Sequence, residues 1–200
     1  MKHSLIDWHA KPIVLASASP RRKQILSIII DDFSVHPSTY HEPEDKTLSP
    51  PKLVQNHARQ KALNVVSDCP DAWIIGADTI VVKDDRILGK PENRAQAVEM
   101  LNLLSNTTHQ VYTGYCILNS RNRQLLTDAE VTDVTFLPLS RAMINIYVDY
   151  YAPFDKAGSY GIQDFSAIFV KRISGCFYNV VGFPIAHFIQ TCMHKLNTLL

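Results

Sequence analysis

The chain lacks the signatures of several large protein classes, and each absence narrows what it does. Its four cysteines, Cys69, Cys116, Cys176 and Cys192, lie far apart, form no C-x-x-C pair and sit at no zinc-finger spacing with a histidine. A zinc module or redox dithiol is therefore not expected; reduced, partly buried thiols of a cytosolic protein are. No long apolar run opens the chain, because Asp7, His9 and Lys11 interrupt it, and no run approaches the length of a membrane span. Neither a signal peptide nor contact with a membrane is expected. An excess of one charge is also missing: 20 Lys and Arg against 19 Asp and Glu leave a net charge of +1. That gives no broad basic field for a nucleic-acid polymer. There is no internal repeat and no low-complexity segment. There is no G-x-x-x-x-G-K followed by Ser or Thr, no G-x-S-x-G and no histidine cluster, which excludes a P-loop, a nucleophile elbow and a zinc hydrolase site. What remains is a 200-residue chain, 46% apolar and 20% charged, suited to one domain or two tightly packed lobes around a sizeable core.

Three stretches stand out. In the first, Pro12-Ile13-Val14-Leu15 reads as a strand leaving a core and runs into Ala16-Ser17-Ala18-Ser19-Pro20-Arg21-Arg22-Lys23. Ser19 is a good helix N-cap and Pro20 suits the first helical position. With Ile25, Leu26, Ile28 and Ile29 near helical spacing, the helix is expected to reach about Ile30, ended by Asp31-Asp32. Arg21, Arg22 and Lys23 then lie at the positive end of the helix dipole, where cations are disfavoured. A bound polyanion relieves this, because free N–H groups, the hydroxyls of Ser17 and Ser19 and two guanidinium forks converge on it. The stretch reads as a phosphate cradle; the plainer alternative is an exposed helix start that happens to be basic. The near-neutral net charge makes the ligand small.

The second stretch, Trp73 to Val82, is a continuous apolar run of the kind buried on both faces of a sheet. Asp78 and Thr79 interrupt it beside the small Gly76 and Ala77. A carboxylate there must be paired or metal-bound. It is either a structural ion pair, which needs a basic partner, or a metal-binding or general-base carboxylate facing a cleft. The third stretch, Asp155 to Gln163, is a loop of small residues holding an acid, a base and an amide. Gln163 is an ordinary loop amide or a hydrogen-bonding partner for a nucleobase edge.

The rest is connective. Phe33 to His36 reads as a short strand, followed by a polar loop from Pro37 to Pro51 in which Glu44 and Asp45 are solvated. Glu42, on a loop near a phosphate cradle, is a candidate magnesium ligand. Ser49 caps a helix whose apolar face holds Leu53, Val54, His57, Ala58, Ala62 and Val65, with Lys61 on or beside that face; a lysine there commonly snorkels along a core edge. Lys83 to Arg86 is a hairpin turn, and Lys90 in Gly89-Lys90-Pro91 is a phosphate contact or a plain turn lysine. Asn93 and Gln96 have capping-box spacing. Val111 to Leu118 and Leu125 to Leu139 read as strands, the second with one face wet over Val131 to Phe136. Ser140 caps a helix, Ala167 to Ile173 reads as a strand, and Tyr178 to Pro184 leads into a last amphipathic helix.

Two arginines, up to three lysines (Lys61, Lys90 and Lys156) and the carboxylates of Asp78 and Glu42 suit hydrolysis of a phosphoanhydride: cations neutralise phosphates, and a carboxylate holds a divalent metal or deprotonates water. Ser17 and Ser19 lack a histidine in a context that marks it as their base.

Ser17-Ala-Ser-Pro-Arg-Arg22, Gly76-Ala-Asp-Thr79, Gly89-Lys-Pro91, Lys156-Ala-Gly-Ser-Tyr-Gly-Ile-Gln163 and Asn179-Val-Val-Gly182 together resemble the Maf family of nucleoside triphosphate pyrophosphatases, in its order and spacing, from about residue 13 to about residue 190. The resemblance implies a single α/β domain of the Maf/ITPase-like kind, with a long mixed twisted sheet flanked by helices and two lobes around a central cleft. It implies cleavage of a nucleoside triphosphate between its α- and β-phosphates, a divalent cation of the Mg²⁺ or Mn²⁺ type, a cytoplasmic location and a homodimer. It makes Asp78 the proton acceptor and makes Arg21, Thr79 and Gln163 the positions that set substrate choice. The Pro-Arg-Arg and Gly-Ile-Gln forms resemble the branch acting on dTTP and UTP. The sister branch acts on 7-methyl-GTP and usually has an aromatic residue after that proline. A non-catalytic regulator of cell division is a further alternative, against which Asp78 and the lysines argue.

On this reading Ser17, Ser19, Arg21, Arg22, Lys61 and Lys90 hold phosphate, and Glu42 and Asp78 share the metal. Three departures from the family pattern stand out: Tyr40-His41 precedes Glu42 where an acidic pair is usual, Leu137 replaces an arginine, and Asp164 follows Gln163 where glycine is common.

Overall fold

The apolar run at Ile13–Leu15 forms strand β1, buried on both faces. It lies parallel to both neighbours: Val14 pairs with Ser34 of β2 (Ser34–Val35) and with Ile74 of β3 (Trp73–Lys83). Through the turn expected at Lys83 to Arg86, β3 pairs antiparallel with β4 (Arg86–Leu88). With β5 (Thr108–Asn119), β6 (Leu125–Phe136) and β7 (Val170–Ser174), these strands make one seven-stranded mixed sheet in the order β2-β1-β3-β5-β6-β7, with β4 on β3. Helices α1 (Pro20–Leu26), α2 (Pro50–Asn64), α3 (Arg94–Leu104), α4 (Arg141–Tyr151), α5 (Phe177–Val181) and α6 (Ile185–Lys195) complete the α/β fold. This computed structural model describes residues 11–200 apart from 44 and 46, together with Ile6 and Trp8. The expectation of a solvated Glu44 lies outside the described residues.

The chain forms two compact units, Met1–Asp78 with Thr113–Glu130 and Gly182–Leu200, and Thr79–Tyr112 with Val131–Val181. In the first unit, α2 turns Leu53, Val54, His57, Ala58, Lys61 and Ala62 inward. Ala58 and Ala62 join Val14, Ala16, Ile74, Cys116 and Leu118 in one apolar cluster. The small side chains matter because the helix rests on the strands almost backbone to backbone. A Cβ added to Gly76 of β3 would lie 2.1 Å from the carbonyl oxygen of Ala58, and one added to Gly114 of β5 would lie 2.4 Å from the carbonyl carbon of Val54. Glycine in a strand interior weakens the strand but permits this approach.

In the second unit, β6 alternates from Val131 to Phe136 as expected, with Thr132, Val134 and Phe136 buried. The buried hydroxyl of Thr132 accepts from Asn179 Nδ2 at 2.9 Å, and the same amide donates to the Val111 carbonyl at 2.9 Å. Asn179 thus ties α5 to β5 and β6.

Several boundaries differ from expectation, β5 for one beginning at Thr108 rather than Val111. Helix α1 stops at Leu26 rather than near Ile30, because Ser27 turns its hydroxyl back onto the Gln24 carbonyl (2.8 Å) and the β-branched Ile28, Ile29 and Ile30 do not extend the helix. The run expected as a strand from Ala167 begins as a tight helical turn, Phe165–Phe169, started by Asp164 accepting from Ser166 N at 2.9 Å; the strand proper is Val170–Ser174. β6 ends at Phe136 rather than Leu139, just before Leu137-Pro138, and a proline disfavours ladder pairing there. All four cysteines are unpaired. Burial pushes the thiols of Cys116 and Cys192 up to about 12. Among the described residues no helix is long and apolar enough to cross a membrane.

Candidate active site

Asp78 lies two residues beyond Gly76 on β3, so its side chain leaves the same face of the strand, the face against which α2 rests. It is only 4% exposed. A carboxylate this buried needs a cation, and α2 supplies one: Lys61 Nζ lies 2.7 Å from Asp78 Oδ1. The same ammonium donates to the Ala77 carbonyl at 3.4 Å and pairs with Glu42 Oε1. The expectation that Lys61 snorkels along the core edge is thereby corrected. Its head turns inward, is 8% exposed, and places all of its N–H donors on protein oxygens. The partner that an ion-pair reading of Asp78 required is present, and it brings a second carboxylate with it.

The cradle stretch is built around Arg22. Its Nε donates to the Gly182 carbonyl at 2.9 Å and its Nη1 to Ser17 Oγ at 3.1 Å. Ser17 Oγ also accepts from Ser19 N at 3.3 Å, and Ser19 Oγ caps α1 by accepting from Arg22 N at 3.4 Å. Burial lowers the Arg22 pKa, Asp78 and Glu42 push it back up, and neighbouring Arg21 lowers it. A guanidinium remains charged under such shifts. Ser17 and Ser19 therefore hold the loop and Arg22 in place, and the positive charge of Arg22 lies in the electrostatic reach of the two carboxylates.

Several contributors escaped the sequence reading. Gly182 was visible only as a motif residue, yet its carbonyl fixes the Arg22 side chain. By sequence alone Tyr40 is a loop residue and His57 a core residue. They meet at 3.2 Å between Tyr40 Oη and His57 Nδ1, with the rings 5.9 Å apart. Burial, then the charges of Glu42 and Asp78, raise the Tyr40 pKa above the usual tyrosine range, which keeps the phenol protonated. Asn64 accepts from Ser38 Oγ (2.9 Å), Thr39 N (2.9 Å) and Thr39 Oγ1 (3.2 Å).

The remaining predicted residues belong to the second unit. Thr79 follows Asp78 on β3, leaves the opposite face of the strand and is half-buried. Lys90 and Gln163 belong to the second unit and are exposed. Lys156 pairs with Asp155 at 2.6 Å and lies 4.0 Å from Asp164 Oδ2. Asp164, the departure from the family's usual glycine, shapes its loop by accepting from Ser166 N and, at 3.1 Å, from the Tyr147 hydroxyl.

Glu42 and Asp78, expected to share a divalent cation, converge on the Lys61 ammonium, so the point between them already stabilises positive charge. Among the described residues no group of three or more His, Cys, Asp or Glu side chains is placed to hold a metal ion. Two hard carboxylates without a closed protein cage fit an ion of the Mg²⁺ kind, which completes its shell with phosphate oxygens and water.

A solved nucleoside-triphosphatase / dITP/XTP pyrophosphatase from Mycobacterium abscessus aligns with a TM-score of 0.45 at 14% identity, covering 94% of this chain and 97% of that one. The chain is 46% identical over 174 residues to a dTTP/UTP pyrophosphatase of Lacticaseibacillus casei, covering 87% of this chain and 94% of the relative. It is 46% identical over 180 residues to one of Bacillus mycoides (90% and 93% covered) and 42% identical over 176 residues to one of Desulforamulus reducens (88% and 92%). A family profile described as Maf-like protein matches residues 12–195. On that match and on these relatives, the chain belongs to the Maf-like protein family.

Proposed function

We propose that this chain is a nucleoside triphosphate pyrophosphatase that hydrolyses dTTP and UTP to the monophosphate and pyrophosphate. The observation that carries the reading is Asp78: a buried carboxylate held through Oδ1 by Lys61, which also pairs with Glu42, and within electrostatic reach of Arg22 in the first turn of α1. The names borne by relatives at 46% identity over most of the chain support the substrate pair.

In this mechanism Arg21 and Arg22 neutralise the triphosphate and orient it, with Lys90 adding charge. Ser17, Ser19 and the Gly182 carbonyl keep Arg22 in place. Asp78 Oδ2 accepts a proton from water as the water oxygen bonds to the α-phosphorus. The bond from the α-phosphorus to the bridging oxygen breaks, and pyrophosphate departs with that oxygen, its charge balanced by the arginines. Glu42 and Asp78 are the residues that would hold a divalent cation of the Mg²⁺ or Mn²⁺ type, which when bound neutralises phosphate charge and makes water a stronger acid. Gln163 offers an amide donor and acceptor that match the carbonyl and N–H edge shared by uracil and thymine, and Thr79 adds to that choice. The reaction belongs to the cytoplasm, where four unpaired thiols stay reduced.

The test is pyrophosphate release from dTTP, UTP, CTP, dCTP, GTP and 7-methyl-GTP with Mg²⁺. Fast release confined to dTTP and UTP is the expected result. Release from 7-methyl-GTP alone overturns the substrate assignment and keeps the chemistry. Nucleotide binding without release from any of them overturns the enzyme.

A further inference from the structure

His57, Lys61 and Asn64 stand four and three residues apart on α2, at i, i+4 and i+7, so they share one stripe of the helix. Each engages the segment that follows β2. Asn64 Oδ1 takes three hydrogen bonds from Ser38 and Thr39. His57 Nδ1 meets the Tyr40 hydroxyl at 3.2 Å. Lys61 pairs with Glu42. Within the segment, Tyr40 N donates to Ser38 Oγ at 3.1 Å, which fixes the turn between the first two attachments. Tyr40 and Glu42 are two residues apart, so in an extended segment their side chains leave the same side, toward α2.

The difference in burial gives this arrangement its meaning. Lys61 and Asp78 are held by the packed core, with side chains 10% and 6% exposed, whereas the Glu42 side chain is 37% exposed and lies on a loop. An ion pair to a partly exposed carboxylate is weakly restraining by itself, since solvent screens it and the chain pays side-chain entropy to hold it. The attachments of the preceding residues add to it. Of those at Ser38, Thr39 and Tyr40, the Tyr40–His57 pair is the nearest in sequence to Glu42 and the most buried, His57 being 4% exposed. A hydrogen bond there is worth more than one at the surface.

We infer that the His57–Lys61–Asn64 stripe of α2 is a clasp that presets the Glu42 segment, and that Tyr40 and His57 are positioning residues which act on the reaction through Glu42. Neither touches substrate. Their effect is to hold the second carboxylate over Lys61 and Asp78 before anything binds. The kinetic part of this inference rests on the proposed pyrophosphatase activity; the structural part does not.

The experiment therefore has two readouts. The first is amide hydrogen exchange of residues 38–43 in the parent, in Tyr40→Phe and in His57→Leu, with no nucleotide and no metal. Tyr40→Phe keeps the ring and removes only the hydroxyl, so folding is not at risk. Exchange in this segment rises about 5-fold, the loss of one net hydrogen bond, while exchange in β3 stays at the parent level. Unchanged exchange in 38–43 overturns the clasp, whether or not the protein is an enzyme. The second is kcat/KM for dTTP and the half-saturating Mg²⁺ concentration, for Tyr40→Phe in the parent and in a Glu42→Gln background. In the parent background kcat/KM falls about 5-fold and the Mg²⁺ requirement rises. In the Glu42→Gln background the same substitution has no further effect, because the group it positions is gone. An equal loss in both backgrounds shows a general packing role and overturns the positioning assignment. A parent that releases no pyrophosphate overturns the activity and leaves the exchange result to decide the clasp.

Discussion

The two units each bury titratable groups, and they solve the problem in opposite ways. In the first, Lys61 lies between Glu42 and Asp78 with Arg22 nearby, so charge is kept and balanced by charge. In the second, His109 on β5 is 2% exposed and sits edge-on to the rings of Phe136 and Tyr160. Its Nε2 is 2.7 Å from the Tyr160 hydroxyl, and its Nδ1 has no hydrogen-bond partner among the described residues. Burial, followed by the charge of Lys83, lowers its pKa from the ordinary 6.5 to about 3, so the ring is neutral. Burial likewise raises the Tyr160 hydroxyl well above the usual tyrosine range. A protein that merely needs a polar residue in its interior discharges it. Holding a charge-balanced cluster instead is costly, and it is retained where charged groups have work to do.

Substitutions that alter one side of this contrast sharpen it. The largest effect is expected at Asp78. Asp78→Asn keeps shape and removes the proposed proton acceptor, so pyrophosphate release should fall by roughly 10²- to 10⁴-fold, the usual contribution of a positioned base, while nucleotide binding, followed by calorimetry, is retained in part. Release near the parent rate would remove Asp78 from the chemistry. Next is Lys61→Met, which leaves Asp78 buried without its ammonium. Thermal or urea unfolding should show a loss of about 3 kcal/mol, and Mg²⁺ should restore part of it by taking the ammonium's place between the carboxylates. Absence of any rescue would argue against a metal held by Glu42 and Asp78.

The smallest effect belongs to His109 and is read as a pH dependence. Its folded pKa lies below its unfolded one, so between them the unfolded chain binds a proton that the folded chain refuses. This contribution to stability is complete above about 6.5 and is lost as pH falls toward about 3. The slope is at most about 1.4 kcal/mol per pH unit. His109→Phe should flatten urea-unfolding free energies over that window without moving the turnover rate at neutral pH. An unchanged slope would show that His109 is not the group responsible.

What could be read from the sequence was local. Ser19-Pro20 marks a helix start through a side chain and a ring acting within one turn, whereas at the start of α2 only the Pro50 ring acts, because the Ser49 side chain makes no capping hydrogen bond. Asp78 betrays itself because a carboxylate in an apolar run has few tolerable explanations. The direction taken by Lys61 was not legible, since it depends on how α2 settles on β3, and a lysine at the edge of an apolar stripe looks the same whether it points out or in. Tyr40 and His57 gave no signal, because 17 residues separate them and each has an unremarkable role alone. Helix α1 ran short because the isoleucine spacing after it suits a helix, while the Ser27 hydroxyl competes for the backbone.

Gly76 has no reactive atom, yet it sets the spacing of the charged cluster. A methyl group at that position meets a carbonyl oxygen of α2 at 2.1 Å, and relief requires the helix to rise from the strand, carrying Lys61 away from Asp78. In a saturation survey of this gene, Gly76 would tolerate substitution as poorly as Asp78 does. Divergence in this chain is thus policed by the thickness of a single carbon as much as by the identity of its acid.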